Sequence, residues 1–247
     1  MTAPIAQTKA TLFIESLNEM LKSGVDGARL QEIEDEAVKM KSHGLLTDAY
    51  NVLGMISALR MDVQEVDRYF NAAMKHAGRE IDTLMNYAVA LNNAYQSCRA
   101  IEIIGEALVV APGDAGVIKK AIGLHVSAFD VEGIHKLIDK LSRLDESPDE
   151  DIPFDVLDKY EEAFVAAETT WQEVADRIGI AASAVSTVAN RPSTDIDIHD
   201  GVVLFRFVLD ATVEDASRAE SAMIDAIAAQ PFTAADRAIY FSCGVAA

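Results

Sequence analysis

The chain has 247 residues, half of them hydrophobic, with 40 acidic against 21 basic side chains and a net charge of −19. That is enough apolar material for a core, yet no apolar run reaches membrane-spanning length, and the opening MTAPIAQTKATLF lacks the basic and apolar blocks of a signal peptide. Two cysteines, Cys98 and Cys243, fit a reduced cytoplasmic chain rather than a disulfide framework, and the acid excess disfavours nucleic-acid phosphate and anionic membrane alike.

Residues 1–145 read as helix almost throughout, with apolar residues at three- and four-residue intervals. Gly24, SHG at 42–44, Gly78, PGD at 112–114 and FDVEG at 129–133 punctuate them into helical hairpins. A fixed period runs through the middle. Tyr50, Leu53 and Gly54 share one helix, and Phe70 and Ala73 lie on the next. Moving on by 34 residues gives Leu84, Tyr87, Ala88 and Leu91, then Ala100, Ile104 and Ala107, with Pro112 closing the unit. A third, degenerate unit carries Ile134, Ile138 and Leu141.

This pattern resembles the tetratricopeptide repeat family over roughly residues 44–145, with a helical hairpin in front. The resemblance implies an α-solenoid in which partner peptides lie against the first helix of each unit. The matching positions here are Asp48, Asn51 and Met55, then Asp82, Met85, Val89, Asn92 and Asn93, then Lys119. That mixed set lacks the basic clamp some family members use on a terminal carboxylate, so a C-terminal peptide ligand is not implied. The methionines suit either an adaptable surface or the solenoid core.

The stretch LDESPDEDIPFD at 144–155 is acidic, carries Pro148 and Pro153, and breaks the helical pattern on both sides. It marks a linker over 146–153 between a repeat domain, 1–145, and a small acidic domain, 154–247. Residues 1–145 hold 15 basic and 20 acidic side chains, a balance of −5; residues 146–247 hold 6 and 20, a balance of −14.

In the second part, 153–168 forms an amphipathic helix with Phe154, Leu157, Tyr160 and Phe164 on one face. The segment TWQEVADRIGIAASAVSTVANRP, 170–192, has the small residue Ala175 and the glycine Gly179 of a helix-turn-helix, with Val174, Ile178, Ile180, Val185 and Val188 in its apolar slots. It is similar to the motif of LacI-type repressors. That resemblance implies a DNA-reading set of Ser183, Ser186, Thr187, Asn190 and Arg191, of which only the last two suit base edges. The flanks carry Glu161, Glu162, Glu168, Asp195 and Asp197 where phosphate contacts need cations. A packed helical hairpin explains the same pattern. Next come DIDI at 195–198 and VVLFRFVL at 202–209, joined by Asp200-Gly201 as a hairpin. A helix over 212–230 follows, capped by Thr212, and then a strand over 237–244. The strand–helix–strand piece is expected to pair in parallel.

No HExxH, CxxC, GxxxxGK[ST] or GxGxxG occurs, and no two of the five histidines pair at i, i+4. Cys243 has no identifiable base. The sequence thus points to a mostly α, bacterial-type cytoplasmic protein: a tetratricopeptide-like α-solenoid followed by a small α/β (α+β) domain. It is expected to be no enzyme, to need no cofactor or metal, and to bind protein, as an adaptor or an inhibitory partner of a basic protein. The alternative is a repeat-linked DNA-binding regulator using 170–192.

Overall fold

The computed structural model describes residues 8–149, 152–189 and 192–246. These residues form twelve helices and one three-stranded sheet. Eight helices come first as four hairpins: α1 (Lys9–Ser23) with α2 (Gly27–Ser42), α3 (Leu46–Leu59) with α4 (Val63–Ala77), α5 (Ile81–Asn93) with α6 (Ser97–Val110), and α7 (Ala115–Ser127) with α8 (Val131–Ser142).

Local chemistry fixes the 34-residue step. Helices α4, α6 and α8 start at 63, 97 and 131. The turn before each holds a left-handed residue at the same phase: Met61 (φ 59°), Tyr95 (φ 57°) and Phe129 (φ 62°). None is glycine. The conformation is held by paired backbone bonds that satisfy the last carbonyls of the preceding helix. Asp62, Gln96 and Asp130 donate N–H to Ser57, Leu91 and His125 carbonyls at 3.0, 2.9 and 3.0 Å. Asp62 and Asp130 then cap the next helix by accepting from the Glu65 and Gly133 amides, both at 3.0 Å. The return joints of the first hairpins use Gly44 (φ 84°) and Gly78 (φ 81°), again 34 apart.

The odd-numbered helices pack in sequence against one another as an inner layer, and each even helix packs on the odd helix of the next hairpin. Buried positions repeat with the period. Ala49, Thr83 and Val117 are equivalent, as are Val66, Ala100 and Ile134, and Ala73, Ala107 and Leu141. At one position the units exchange volume. Gly54 makes room for the Phe70 ring, which would lie 2.4 Å from a Cβ there; the equivalent positions one unit on are Ala88 and Ile104, both fully buried. Phe70 in turn stacks on Tyr87, ring centroids 4.9 Å apart.

The rest of the chain comprises α9 (Phe154–Ala167), α10 (Trp171–Ser186), β1 (Ser193–His199), β2 (Val202–Leu209), α11 (Val213–Ala228), α12 (Ala235–Ala238) and β3 (Ile239–Val245). Strands β1 and β2 pair antiparallel through Asp200 (φ 49°) and Gly201 (φ 76°), the two left-handed residues of a tight hairpin. Strands β2 and β3 pair in parallel across α11. Strand β3 begins two residues later than the sequence indicated, because 237–238 close α12. The fold class read from the sequence therefore holds: helical hairpins, then a small α/β part. One apolar cluster runs from α5 through β3, so the sheet and its helices share a core with the third and fourth hairpins. Phe129 makes edge contacts with Tyr160 and Phe164 of α9 at 4.7 and 6.2 Å. The first two hairpins have their own cluster, centred on Leu17, Ile33, Ile56 and Phe70.

The helix-turn-helix does not form. Residues 171–186 are one continuous helix, opened by a capping box between Thr170 and Glu173. Gly179 lies in its middle. A Cβ at that position would sit 2.9 Å from the Tyr95 carbonyl oxygen, so the glycine permits α10 to dock on the α5–α6 corner. The small-residue run that imitated a helix crossing is a crossing with a distant element. The Tyr95 hydroxyl donates to the Pro192 carbonyl at 3.2 Å, and its ring meets Phe207 edge-on at 6.0 Å.

Candidate functional site

The inner faces of α5 and α7 form a groove of about 780 Å³. Its floor on α7 is Gly116, Lys119, Gly123, Val126 and Ser127, which follow the helical repeat along one face. Val89 and Asn92 of α5 flank it, and Pro148, Asp149, Ile152 and Pro153 form the facing wall. Lys119 Nζ lies 2.8 Å from Asp149 and 3.1 Å from Glu146. These carboxylates hold the Lys119 ammonium above its ordinary range, Asp149 contributing more than Glu146.

Of the nine expected groove residues, Val89, Asn92 and Lys119 are brought together here. Met85 and Asn93 are half-buried on α5, Asp82 is exposed in its first turn, and Asp48 is half-buried in the first turn of α3. Asn51 and Met55 are not groove residues. Both are buried. Asn51 donates to the Thr47 carbonyl at 3.0 Å and to the Thr83 hydroxyl at 3.2 Å, tying α3 to α5. Met55 joins the cluster beneath α1. The period alone would have supplied Gly116, Gly123, Val126 and Ser127, each one step on from Asp82, Val89, Asn92 and Asn93. The wall of Pro148, Asp149, Ile152 and Pro153 has no local signature.

A second cleft, about 680 Å³, lies where the start of α6 (Gln96–Arg99) meets α10 and the end of α11. Ser183 and Thr187, two of the residues expected to read bases, line it. Neither Ser186 nor Thr187 offers a free hydroxyl, since each donates at 2.7 Å to its own helix, at the Ser183 and Ala184 carbonyls. Asn190 and Arg191 lie outside the described residues. Cys98 sits in this cleft with its thiol pushed up to about 12, by burial first and Asp176 second. Burial, then Glu220, pushes Cys243 up to about 11. Both thiols are therefore poor nucleophiles near neutral pH.

Three polar clusters pin elements together. Arg177 is buried in α10 and donates to the Pro231 carbonyl and to Asp236 at 2.8 Å, fixing the loop before α12. Tyr87 and Arg99 both reach Asp67, at 2.7 and 2.6 Å, linking α4, α5 and α6. At the α7–α8 turn, His125 Nδ1 lies 2.7 Å from Asp130. Burial raises the Asp130 carboxyl, but the hydrogen bonds from His125 and the Gly133 amide outweigh it and hold the group below the usual carboxylate range. Among the described residues no group of His, Cys, Asp and Glu is arranged to hold a metal ion, and no helix is long and apolar enough to cross a membrane.

No protein-family model, curated protein or solved structure matches this chain.

Proposed function

We propose that the chain is a non-enzymatic protein–protein interaction module, an adaptor built on tetratricopeptide-type repeats, whose inner groove receives an extended segment of a partner. The observation that carries this is the groove over α7, where five positions of one helix face lie open between α5 and the wall of Pro148, Asp149, Ile152 and Pro153. The repeat assignment draws on the left-handed turn residues Met61, Tyr95 and Phe129 at a constant 34-residue step, and on inner-layer packing of the odd helices. Solenoid grooves of this kind bind extended chains because each unit repeats the same contact.

An adaptor needs a second face. The acidic C-terminal part, with Glu161, Glu162, Asp195, Asp197 and Asp200 exposed, suits a basic protein. Binding there should weaken steeply with added salt, and salt-independent binding would remove the basic partner from the account.

The test of the groove is a pull-down with the full chain as bait, comparing wild type with Val89→Glu/Asn92→Glu and with Ser183→Glu as a control on the other cleft. The proposal expects a stoichiometric protein lost only with the groove variant. Equal recovery by all three baits would move the binding site elsewhere.

A further inference from the structure

We infer that residues 146–149 are a built-in occupant of the α7 groove, and that the groove's partner in trans is an extended acidic segment of another protein. This rests on the reading of the chain as an interaction module and names the chemistry of its ligand.

The groove offers one half-buried amine at the centre of its floor. Lys119 keeps only 21 % of its side chain exposed, whereas Glu146 and Asp149, which pair with it, are 48 % and 72 % exposed. The floor beside it is open: a Cβ at Gly123 would meet nothing within 4 Å. Lys120 lines the same groove. The carboxylates facing Lys119 come from the segment just after α8. Without that segment, the α7 face presents two lysines beside apolar and small residues, which is the complement of an acidic extended chain.

The segment is placed there by its own backbone. Asp145 is left-handed (φ 57°) and the Glu146 amide donates to the Leu141 carbonyl at 3.3 Å, which turns the chain out of α8. Pro148 removes a donor and restricts Ser147 to extended geometry. Eleven residues, 143–153, separate α8 from α9, whereas each joint between α1 and α8 takes three or four. A joint of that length has slack to leave the groove without unseating either helix. Ion pairs with exposed carboxylates are individually weak, so a tethered segment at high effective concentration competes with a ligand but does not exclude it.

The probe is a fluorescein-labelled peptide of sequence LDESPDEDIPF, copied from residues 144–154, titrated by anisotropy into the full chain. The salt should be about 0.15 M, where the overall negative charge is screened beyond about 8 Å. Three proteins are compared: wild type, Glu146→Gln/Asp149→Asn, and that variant with Lys119→Glu added, each checked for unchanged helical content. The released chain should bind the peptide about threefold to tenfold more tightly than wild type, and Lys119→Glu should abolish that gain. A released chain that binds no tighter, or a gain indifferent to Lys119→Glu, overturns the inference, as does absence of binding by all three. The interaction-module reading fails separately. If the peptide does not bind but the pull-down partner is still lost with Val89→Glu/Asn92→Glu, only the acidic ligand is wrong.

Discussion

Gly54 and Phe70 give the repeat register its sharpest stability test. An ideal Cβ on Gly54 would lie 2.4 and 2.7 Å from two carbons of the fully buried Phe70 ring, which is itself stacked on Tyr87. Replacing a mid-helix glycine by alanine ordinarily gains about 1 kcal/mol, but forcing a methyl into a filled core costs about 1–3 kcal/mol. Gly54→Ala should therefore be neutral to about 2 kcal/mol destabilising. Phe70→Ile alone leaves a void and loses about 1–3 kcal/mol, less than a full truncation to alanine. Together the two changes reproduce the Ala88/Ile104 pair one unit on, so the methyl fills the space the ring vacated. In the Phe70→Ile background, Gly54→Ala should turn stabilising by about 1 kcal/mol, a coupling of about 1–3 kcal/mol. Urea unfolding followed by far-UV circular dichroism measures all four corners of the cycle. Additive effects, or a Gly54→Ala that stabilises wild type, would mean that positions 54 and 70 are not the equivalents of 88 and 104.

Gly179→Val should destabilise by about 1–3 kcal/mol, because any Cβ meets the Tyr95 carbonyl; an unchanged urea midpoint would undo the docking of α10 on the α5–α6 corner. Arg177→Met leaves the Asp236 carboxylate, only 13 % exposed, without its cation and should cost about 3–5 kcal/mol, read in the same assay; a loss under about 1 kcal/mol would show the pair to be solvated. Asp130 has a carboxyl held below its unfolded value of 3.8, so its stabilising contribution is present above that pH and is lost as pH falls through the lower, folded value. Asp130→Asn should flatten the acid limb of the stability curve below about pH 4, and an identical acid limb in the variant would contradict the assignment. Iodoacetamide should label Cys98 and Cys243 at about pH 8 more slowly in the native chain than in urea, as followed by mass spectrometry; equal rates would deny that their partial burial shields them.

The parts of the fold that sequence made legible are those set by local chemistry. Periodicity marked the helices, Thr212 marked the start of α11, and Asp200-Gly201 marked a turn that does place both residues at positive φ. The joints at Met61, Tyr95 and Phe129 carried no glycine to announce them, because backbone bonds to the preceding helix hold the left-handed residue there. The helix-turn-helix reading went astray because it assigned a small residue and a glycine to a local crossing. The close approach is real, but the other party, Tyr95, lies far back in the chain. The groove was half legible for a related reason. The repeat phase found Val89, Asn92 and Lys119, but it could not reveal that Thr83 and the cluster beneath α1 bury Asn51 and Met55. Nor could it show that Pro148, Asp149, Ile152 and Pro153 wall the groove.

Amide hydrogen exchange on the complex recovered with the full chain, run with and without nuclease, asks whether a protein partner lies in the inner groove. A partner there gives nuclease-resistant protection along α5 and α7, over 85–93 and 116–127, together with loss of protection at 145–149 as the acidic segment is displaced. Protection confined to α10 and abolished by nuclease would contradict it and return residues 171–187 to nucleic acid.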